Sequence, residues 1–548
     1  GWDRYAPEFG DVSVGDQFQK HSYIFGLLIN AEGKRFVDEG LDFHSFTYAK
    51  YGGEVLKQPG QFAWQVFDSK VTKLLRSEYR IKFVTKVSAN TLEELAAKLE
   101  GVNPDGFLKT VRDYNNAVMK DAGYHEAYPL SAAEIDMVCP LLLMRLAVSV
   151  VNSTLMAQEN PDDPYVVVSQ KPAWAFLQSA RVNPGLINAR LRAACGLPVT
   201  DAAPRILAWL ETQRGQFAPV LEADLNAAPM GSLSVENATC PQNPFDLPLA
   251  EAATIGQEFD DNGRVWLGYY NEPRLIYTAP AFRRGVWKAS NRRTVHLAID
   301  AFAPSQTALF APLDGVVHTI ENRTDHLDYG GVIILGHETP QGDAFYTLYG
   351  HLNPEICQRL KIGQRIKRGE FLARMGDVSQ SGGWAPHVHF QLALTTEGMG
   401  LDWPGVADPD EMYLWGAVCP NPAALMNLPD AKVAYVAGDP AVVRADRERL
   451  FGHNLKLSYD QPVMLLRGWK HHLFDQMGRP YLDAYNNVPH VGHAHPRLQA
   501  VAADQLKRMN SNTRYLHPAQ TAFAEKIVSK MPEGLSVCFF VNSGSEAN

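Results

Sequence analysis

Hydrophobic and polar positions along the chain fall into blocks of different texture. Residues 1 to about 120 alternate short strand-like runs, such as YIFGLLINAEGKRFVDEG, with TLEELAAKLEGV and FLKTVRDYNNAVM, whose apolar positions recur at three and four. Residues 122–215 carry helical periodicity in NPGLINARLRAACG and APRILAWLETQRG, punctuated by Gly and Pro. From about 280 to 400 the runs shorten to DGVVHTI, GGVIILGH, AFYTLYGHL, EFLARMG and HVHFQLAL, separated by Gly, Asp and Pro turns, which predicts an all-β unit. Beyond a Pro-rich and then Ala/Asp-rich stretch, residues 455–548 return to α/β patterning. The predicted fold class is multidomain α/β plus all-β, with a central antiparallel β domain flanked by partial α/β and helical domains. The boundaries expected are 1–120, 122–215, a connecting segment 216–284, the β domain 285–425, a linker 426–454, and 455–548.

The longest apolar run, MVCPLLLMRLAVSVVNSTLMA at 137–157, has the length of a membrane span, but Arg145 near its centre costs about 2.5 to 3.5 kcal/mol on insertion scales. A buried helix is the expectation. A length of 548 residues suggests roughly three to five units. Charged residues make up 20% and hydrophobic ones 46%, an ordinary globular balance, and the net charge of -9 provides no footprint for nucleic acid or an anionic membrane. Six cysteines lie far apart without a CxxC pair, against both a disulfide framework and a zinc–thiolate site. With no secretory signal in view, a cytoplasmic location is expected.

Chemistry concentrates in the β block. In TVHLAIDAFAP, His296 and Asp300 are four apart, a spacing that puts both on one face of a strand, and in APHVHFQL, His387 and His389, two apart, face the same way. Imidazole and carboxylate suit Zn²⁺, which in hydrolytic sites keeps three protein ligands and an open position. Either pair alone is a common surface or core pattern in a chain with 17 histidines. Between them lie the turn APLDGVV, YTLYGHLN with His351, and KIGQRIKRGEFLARMG. In this order the motifs resemble the M23 family of zinc metallopeptidases, across roughly residues 285–395. The resemblance implies an M23-type β domain, His296, Asp300 and His389 as zinc ligands, and His351 and His387 as catalytic groups beside the attacking water. One departure is SQSGGWAPHVH, where Trp384 crowds the approach to the histidines.

Three other stretches carry resemblances. GRPYLDAYNNVPHVGHAHP and the final FFVNSGSEAN resemble the N-terminal part of class III pyridoxal-phosphate-dependent aminotransferases, closest to the branch with ethanolamine-phosphate phospho-lyases. This implies pyridoxal phosphate (PLP) in the full-length protein, its phosphate held at Gly544 and Ser545. An ordinary helix cap is the bland reading of the same residues. Lys526 and Lys530 precede the loop, so neither matches the family's Schiff-base lysine, and the chain reads as a fragment ending inside that domain. GYHEAYPLSAAEID with the helical run after it resembles the C-terminal lobe of aminoglycoside-phosphotransferase-like kinases over 122–215, without the HxD loop. Kinase, M23 and aminotransferase parts in this order resemble a bacterial three-part fusion enzyme.

Residues 1–120 resemble the capping region of fumarate reductase and tricarballylate dehydrogenase flavoproteins. That resemblance implies FAD for the family, but the FAD-binding GxGxxG is absent, and Thr72 stands where an acid-donating Arg is expected. Arg35 and Glu39 match the family's turn, with a structural ion pair as the alternative.

The reading is a zinc-dependent M23-like peptidase inside a fragment of a fusion, acting on a peptide or small molecule, with oligomerisation through the aminotransferase part. The alternative is a class III aminotransferase or phospho-lyase acting on an amino-alcohol phosphate, in which the β domain is a non-catalytic spacer or binding module.

Overall fold

The β-type patterning of residues 280–400 becomes part of one eight-stranded sheet in the computed structural model. Its strands are β1 (Met230–Gly231), β2 (Trp266–Gly268), β3 (Ile299–Phe302), β4 (Gly315–Arg323), β5 (Gly330–Glu338), β6 (Ala344–Leu352), β7 (Arg365–Ile366) and β8 (His387–Ala393). They lie in the order β7-β4-β5-β6-β8-β3-β2-β1. All neighbours are antiparallel except β1 and β2. The structure describes residues 20–547 apart from 40–43, 77–78, 80–84, 128–130, 162–169, 180–182, 238–239, 260–262, 285–291, 397–398, 400–402, 453, 456, 460, 486–489 and 512–513.

The unbroken apolar run Val332–Leu335 in β5 is buried on both sides, as expected of a central strand covered on both faces. Part of that cover is the helix Ala203–Thr212, whose Ile206 and Leu210 join the sheet's core and whose Trp209 ring lies 5.9 Å from Phe345. Arg205 of the same helix clamps Asp343 through two hydrogen bonds of 3.0 and 2.6 Å. The last helices of the 122–215 stretch thus share the sheet's core. The expected linker begins inside it too, because Leu428 and Val433 are fully buried there.

The chain divides into two compact units, Gly1–Ser131 and Ala132–Asn548. In the first, the antiparallel pair Leu27–Ile29 and Trp64–Val66 packs with helices Leu92–Lys98 and Pro104–Ala127 around Ile29 and Phe107. That last helix runs through the boundary expected at 120. Arg35 pairs with Glu39 at 2.7 Å, and the buried Glu39 accepts the Leu28 N–H at 2.6 Å, which fits a structural ion pair bracing the strand. Thr72 is exposed.

The apolar run 137–157 forms the helix Ala132–Glu159, but its burial differs from expectation. Only Ile135, Cys139 and Ser153 are buried, while Met137, Leu141, Met144, Val151 and Leu155 are exposed among the described residues. The helices Gln170–Leu177 and Pro184–Ala194 pack against it and cover one stripe, whereas its apolar residues are spread all round. No helix among the described residues is long and apolar enough to cross a membrane.

In residues 455–547, a three-stranded sheet (Leu465–Trp469, His472–Asp475, Pro480–Leu482) seats Phe474 against Val235, Phe245 and Leu275. The helices Pro496–Arg508 and Pro518–Val528 bury no residue.

His337 on β5 bears on acid stability. Its Nδ1–H donates to the Asp314 carbonyl and its Nε2 accepts from the Thr347 hydroxyl, each at 2.8 Å, and burial pushes its pKa down to about 4. A histidine buried neutral stabilises the fold fully above its unfolded pKa of about 6.5, and that contribution is lost as pH falls through the folded value. Denaturant unfolding should therefore show about 3 kcal/mol of acid-linked loss between pH 7 and 4 that His337→Gln removes.

Candidate metal centre

The site lies where β8 meets β3. Period-two alternation puts His387 and His389 of β8 on one face, and the register sets His389 opposite Asp300 and His387 opposite Phe302. His296 and Asp300 do not share one strand. His296 ends the short strand Val295–His296, which pairs with Val406–Ala407, and the chain bends through Leu297 and Ala298 before β3 begins. The segment changes partner between the two residues, so they converge through a bend and not through alternation.

Three donor atoms meet there. His296 Nε2 lies 3.1 Å from both His389 Nδ1 and Asp300 Oδ1, and His389 Nδ1 lies 3.4 Å from the same oxygen. All three residues are buried. Outer contacts set which ring nitrogens carry protons. His296 Nδ1 lies 3.0 Å from the Tyr269 carbonyl, an acceptor only, so it carries the proton and Nε2 is bare. Gln391 donates through Nε2 to the Pro404 carbonyl at 3.1 Å, which turns its Oε1 to accept the His389 Nε2–H at 3.0 Å and leaves Nδ1 bare. Two lone pairs and a carboxylate oxygen therefore face one another at a buried position, and no hydrogen bond from the described residues reaches Asp300 Oδ1. Without a cation such an arrangement is repulsive. Tetrahedral zinc at about 2.0 to 2.1 Å from its ligands separates them by roughly 3.3 Å, so the residues fit a metal ion of that kind.

Electrostatics agree with this donor set. Burial lowers the His296 imidazole to about 4, so it is neutral near pH 7. Burial alone would raise the Asp300 carboxyl, but the Arg274 guanidinium beside it holds it well below the usual carboxylate range. Arg274 Nη1 donates to Asp300 Oδ2 at 2.7 Å, while its Nε donates to the fully buried Glu272 at 2.7 Å. Gly268 on β2 lies opposite Asp300, and a Cβ there would come within 2.9 Å of the guanidinium and 3.3 Å of the Asp300 Cβ.

His351 and His387 sit beside the three donors. Their rings lie 4.1 Å apart, and His387 also stacks on Phe302 at 4.6 Å. His387 Nδ1–H donates to the Ala385 carbonyl at 2.7 Å, leaving Nε2 bare and 4.0 Å from Asp300 Oδ1. His351 occupies a register shift near the end of β6 with φ of 63°, a left-handed conformation that costs a non-glycine residue roughly 1 to 3 kcal/mol. Two backbone bonds hold it, from its N–H to the Tyr329 carbonyl at 2.8 Å and from the Gly376 N–H to its own carbonyl at 2.9 Å. Burial depresses both imidazoles, His351 well below its ordinary value. His351 Nδ1 has no hydrogen-bond partner among the described residues. A cavity of about 450 Å³ opens over these groups, walled by Tyr277, Phe282, Trp384 and Trp403. Trp384, expected to crowd the approach, is a buried wall of that cavity.

Five candidate residues thus come together. Gly544 and Ser545 do not join them and lie exposed in the four-residue helix Gly544–Ala547. There Ser543 Oγ accepts the Glu546 N–H at 3.2 Å and Glu546 accepts the Asn542 N–H at 2.6 Å, a reciprocal helix cap. Sequence reasoning missed Gln391, which period two places on the face of His387 and His389. It also missed Arg274, Glu272 and Tyr269, which lie in the connecting segment outside every motif.

Residues 294–400 match Peptidase family M23, and residues 458–548 match Aminotransferase class-III. The alanine–glyoxylate aminotransferase 2-like protein of Drosophila melanogaster is 47% identical over 103 residues, 19% of this chain and 21% of that protein. The ethanolamine-phosphate phospho-lyase homolog 1 of Caenorhabditis elegans is 38% identical over 103 residues, 19% of this chain and 22% of the relative. A zinc-containing peptidase from Vibrio cholerae is 23% identical in sequence, over 23% of this chain and 36% of its own, with a TM-score of 0.15. The chain spans about a fifth of the length of the curated relatives it matches. The flavoprotein and kinase resemblances of residues 1–120 and 122–215, and the FAD that the first implies, draw no support from these matches.

Metal content should separate this centre from a polar core. Purified chain should carry about one zinc by elemental mass spectrometry, lost in Asp300→Ala and in His389→Ala. Folded wild-type protein without metal contradicts the assignment.

Proposed function

We propose that the full-length protein is a class III PLP enzyme acting on an amino-alcohol phosphate, and that the chain also carries a metal-dependent hydrolytic centre of M23 type. The 47% identity over 103 residues to an aminotransferase 2-like protein carries the first part, and the phospho-lyase relative supports the substrate class. PLP, once bound, supplies an electron sink for bonds at the amine-bearing carbon. Gly544 and Ser545 are the residues proposed to hold its phosphate. An extended reading frame should add a lysine whose substitution abolishes the reduced-Schiff-base adduct formed with PLP and borohydride. An extended protein that forms no adduct contradicts this part.

The convergence of His296, Asp300 and His389 carries the second reading. Zinc supplies, when bound, an electrophile for a carbonyl oxygen and a lowered pKa for water beside it. His387 Nε2, bare and aimed into the pocket, is placed to take a proton from the attacking water and return it to the leaving amine. His351, neutral and rigidly set with Nδ1 bare, is assigned to accept from the attacking water and orient it. The 450 Å³ cavity is of a size that takes a short peptide or small amide.

If the centre is hydrolytic, His351→Ala should retain zinc yet lose at least about 100-fold in the release of new amino termini from short synthetic peptides. Zinc-loaded wild type with no activity on such peptides favours the non-catalytic spacer or binding role for this domain.

A further inference from the structure

The connecting segment 216–284 precedes the residues matched to the peptidase family, yet it reaches the centre of the site. Residues 271–274 run beside His296. The Asn271 N–H donates to the His296 carbonyl at 2.9 Å, the His296 N–H to the Glu272 carbonyl at 3.0 Å, and the Arg274 N–H to the Thr294 carbonyl at 2.8 Å. From this ribbon Arg274 turns inward, only 2% exposed. Its Nη1 takes Asp300 Oδ2 at 2.7 Å and lies 3.2 Å from the Tyr277 hydroxyl, its Nη2 lies 3.4 Å from the Tyr269 carbonyl, and its Nε takes Glu272 Oε2 at 2.7 Å. The other Glu272 oxygen accepts from the Ser232 hydroxyl and the Leu233 N–H, each at 2.8 Å.

This chain of contacts divides the labour between the two oxygens of Asp300. Oδ2 is committed to the guanidinium, while Oδ1 faces the two bare imidazole nitrogens with no hydrogen bond of its own. A carboxylate pinned in this way presents one oxygen at a fixed angle and cannot swing to offer both. The Tyr269 carbonyl that receives the His296 Nδ1–H also lies within reach of Arg274, so two of the three donors are oriented from one small frame.

We propose that Arg274, itself held by Glu272, is a positioning residue that restricts Asp300 to a one-oxygen grip on the metal and so sets how tightly the centre binds it. This rests on the metal-centre reading above. Glu272 and Arg274 cancel in charge, so removing both leaves the net charge of the site unchanged and deletes only the anchor. Removing Arg274 alone would strand a buried carboxylate and mix two effects of opposite sign on a cation. The paired change Glu272→Gln with Arg274→Met is therefore the informative one.

The test measures zinc affinity by chelator competition and the visible absorption of the cobalt(II)-substituted chain, in wild type and in the paired variant. Loss of an outer partner to a metal ligand weakens binding by roughly 10- to 100-fold, and that is the expected drop, together with shifted and weakened cobalt bands. Should the paired variant fail to fold, Arg274→Lys serves in its place. It keeps the charge and one contact, and should lose several-fold in affinity with an altered cobalt spectrum. A folded variant that binds zinc within about twofold of wild type with an unchanged cobalt spectrum overturns the proposal and leaves the metal reading standing. A wild-type chain that binds neither metal overturns that reading, and the proposal with it.

Discussion

Three electron-pair donors held within 3.4 Å of one another, with no proton between them, form the constraint on which the rest of this region depends. Left free, two imidazoles and a carboxylate would rotate apart or share a proton. The fold prevents both. The Tyr269 carbonyl and the Gln391 amide take the outer imidazole protons, Arg274 takes the outer carboxylate oxygen, and the β3–β8 register sets the spacing. The free energy of packing a two-sided sheet maintains an arrangement that is locally unfavourable until a cation enters.

This frame extends past the β domain proper. The Thr294 carbonyl accepts the Arg274 N–H, and its hydroxyl donates to the Met477 carbonyl at 2.6 Å, in the turn between two strands of the aminotransferase-like part. Leu275, next to Arg274, shares a core with Phe474 of that part. The segment that reaches into the metal centre is thus also the seat for the first strands of the class III match. The regions matched to the two families both pack on one short ribbon, residues 271–275.

What could be read from the sequence follows the range of the interactions. The HxH pair was legible because period two is a property of a single strand, and the strand His387–Ala393 obeys it. The HxxxD pair named two residues that do come together, but through a different geometry, since the bend at Leu297 and Ala298 depends on a pairing with residues 406–407 that no local pattern reveals. Arg274 was invisible for the same reason, because its partner Asp300 lies 26 residues away along the chain, and Glu272 matters only through Arg274. The helix Ala132–Glu159 marks the opposite failure, where hydrophobicity was clear but its partner was not. Apolar composition states a need for cover and says nothing of what supplies it.

X-ray absorption at the zinc edge on the purified chain tests the central claim most directly, because it reports the atoms around the metal. The account predicts two imidazole nitrogens with oxygen completing the shell at about 2.0 to 2.2 Å, and no sulfur near 2.3 Å. A sulfur shell, or fewer than two imidazoles, would contradict a centre built from His296, Asp300 and His389.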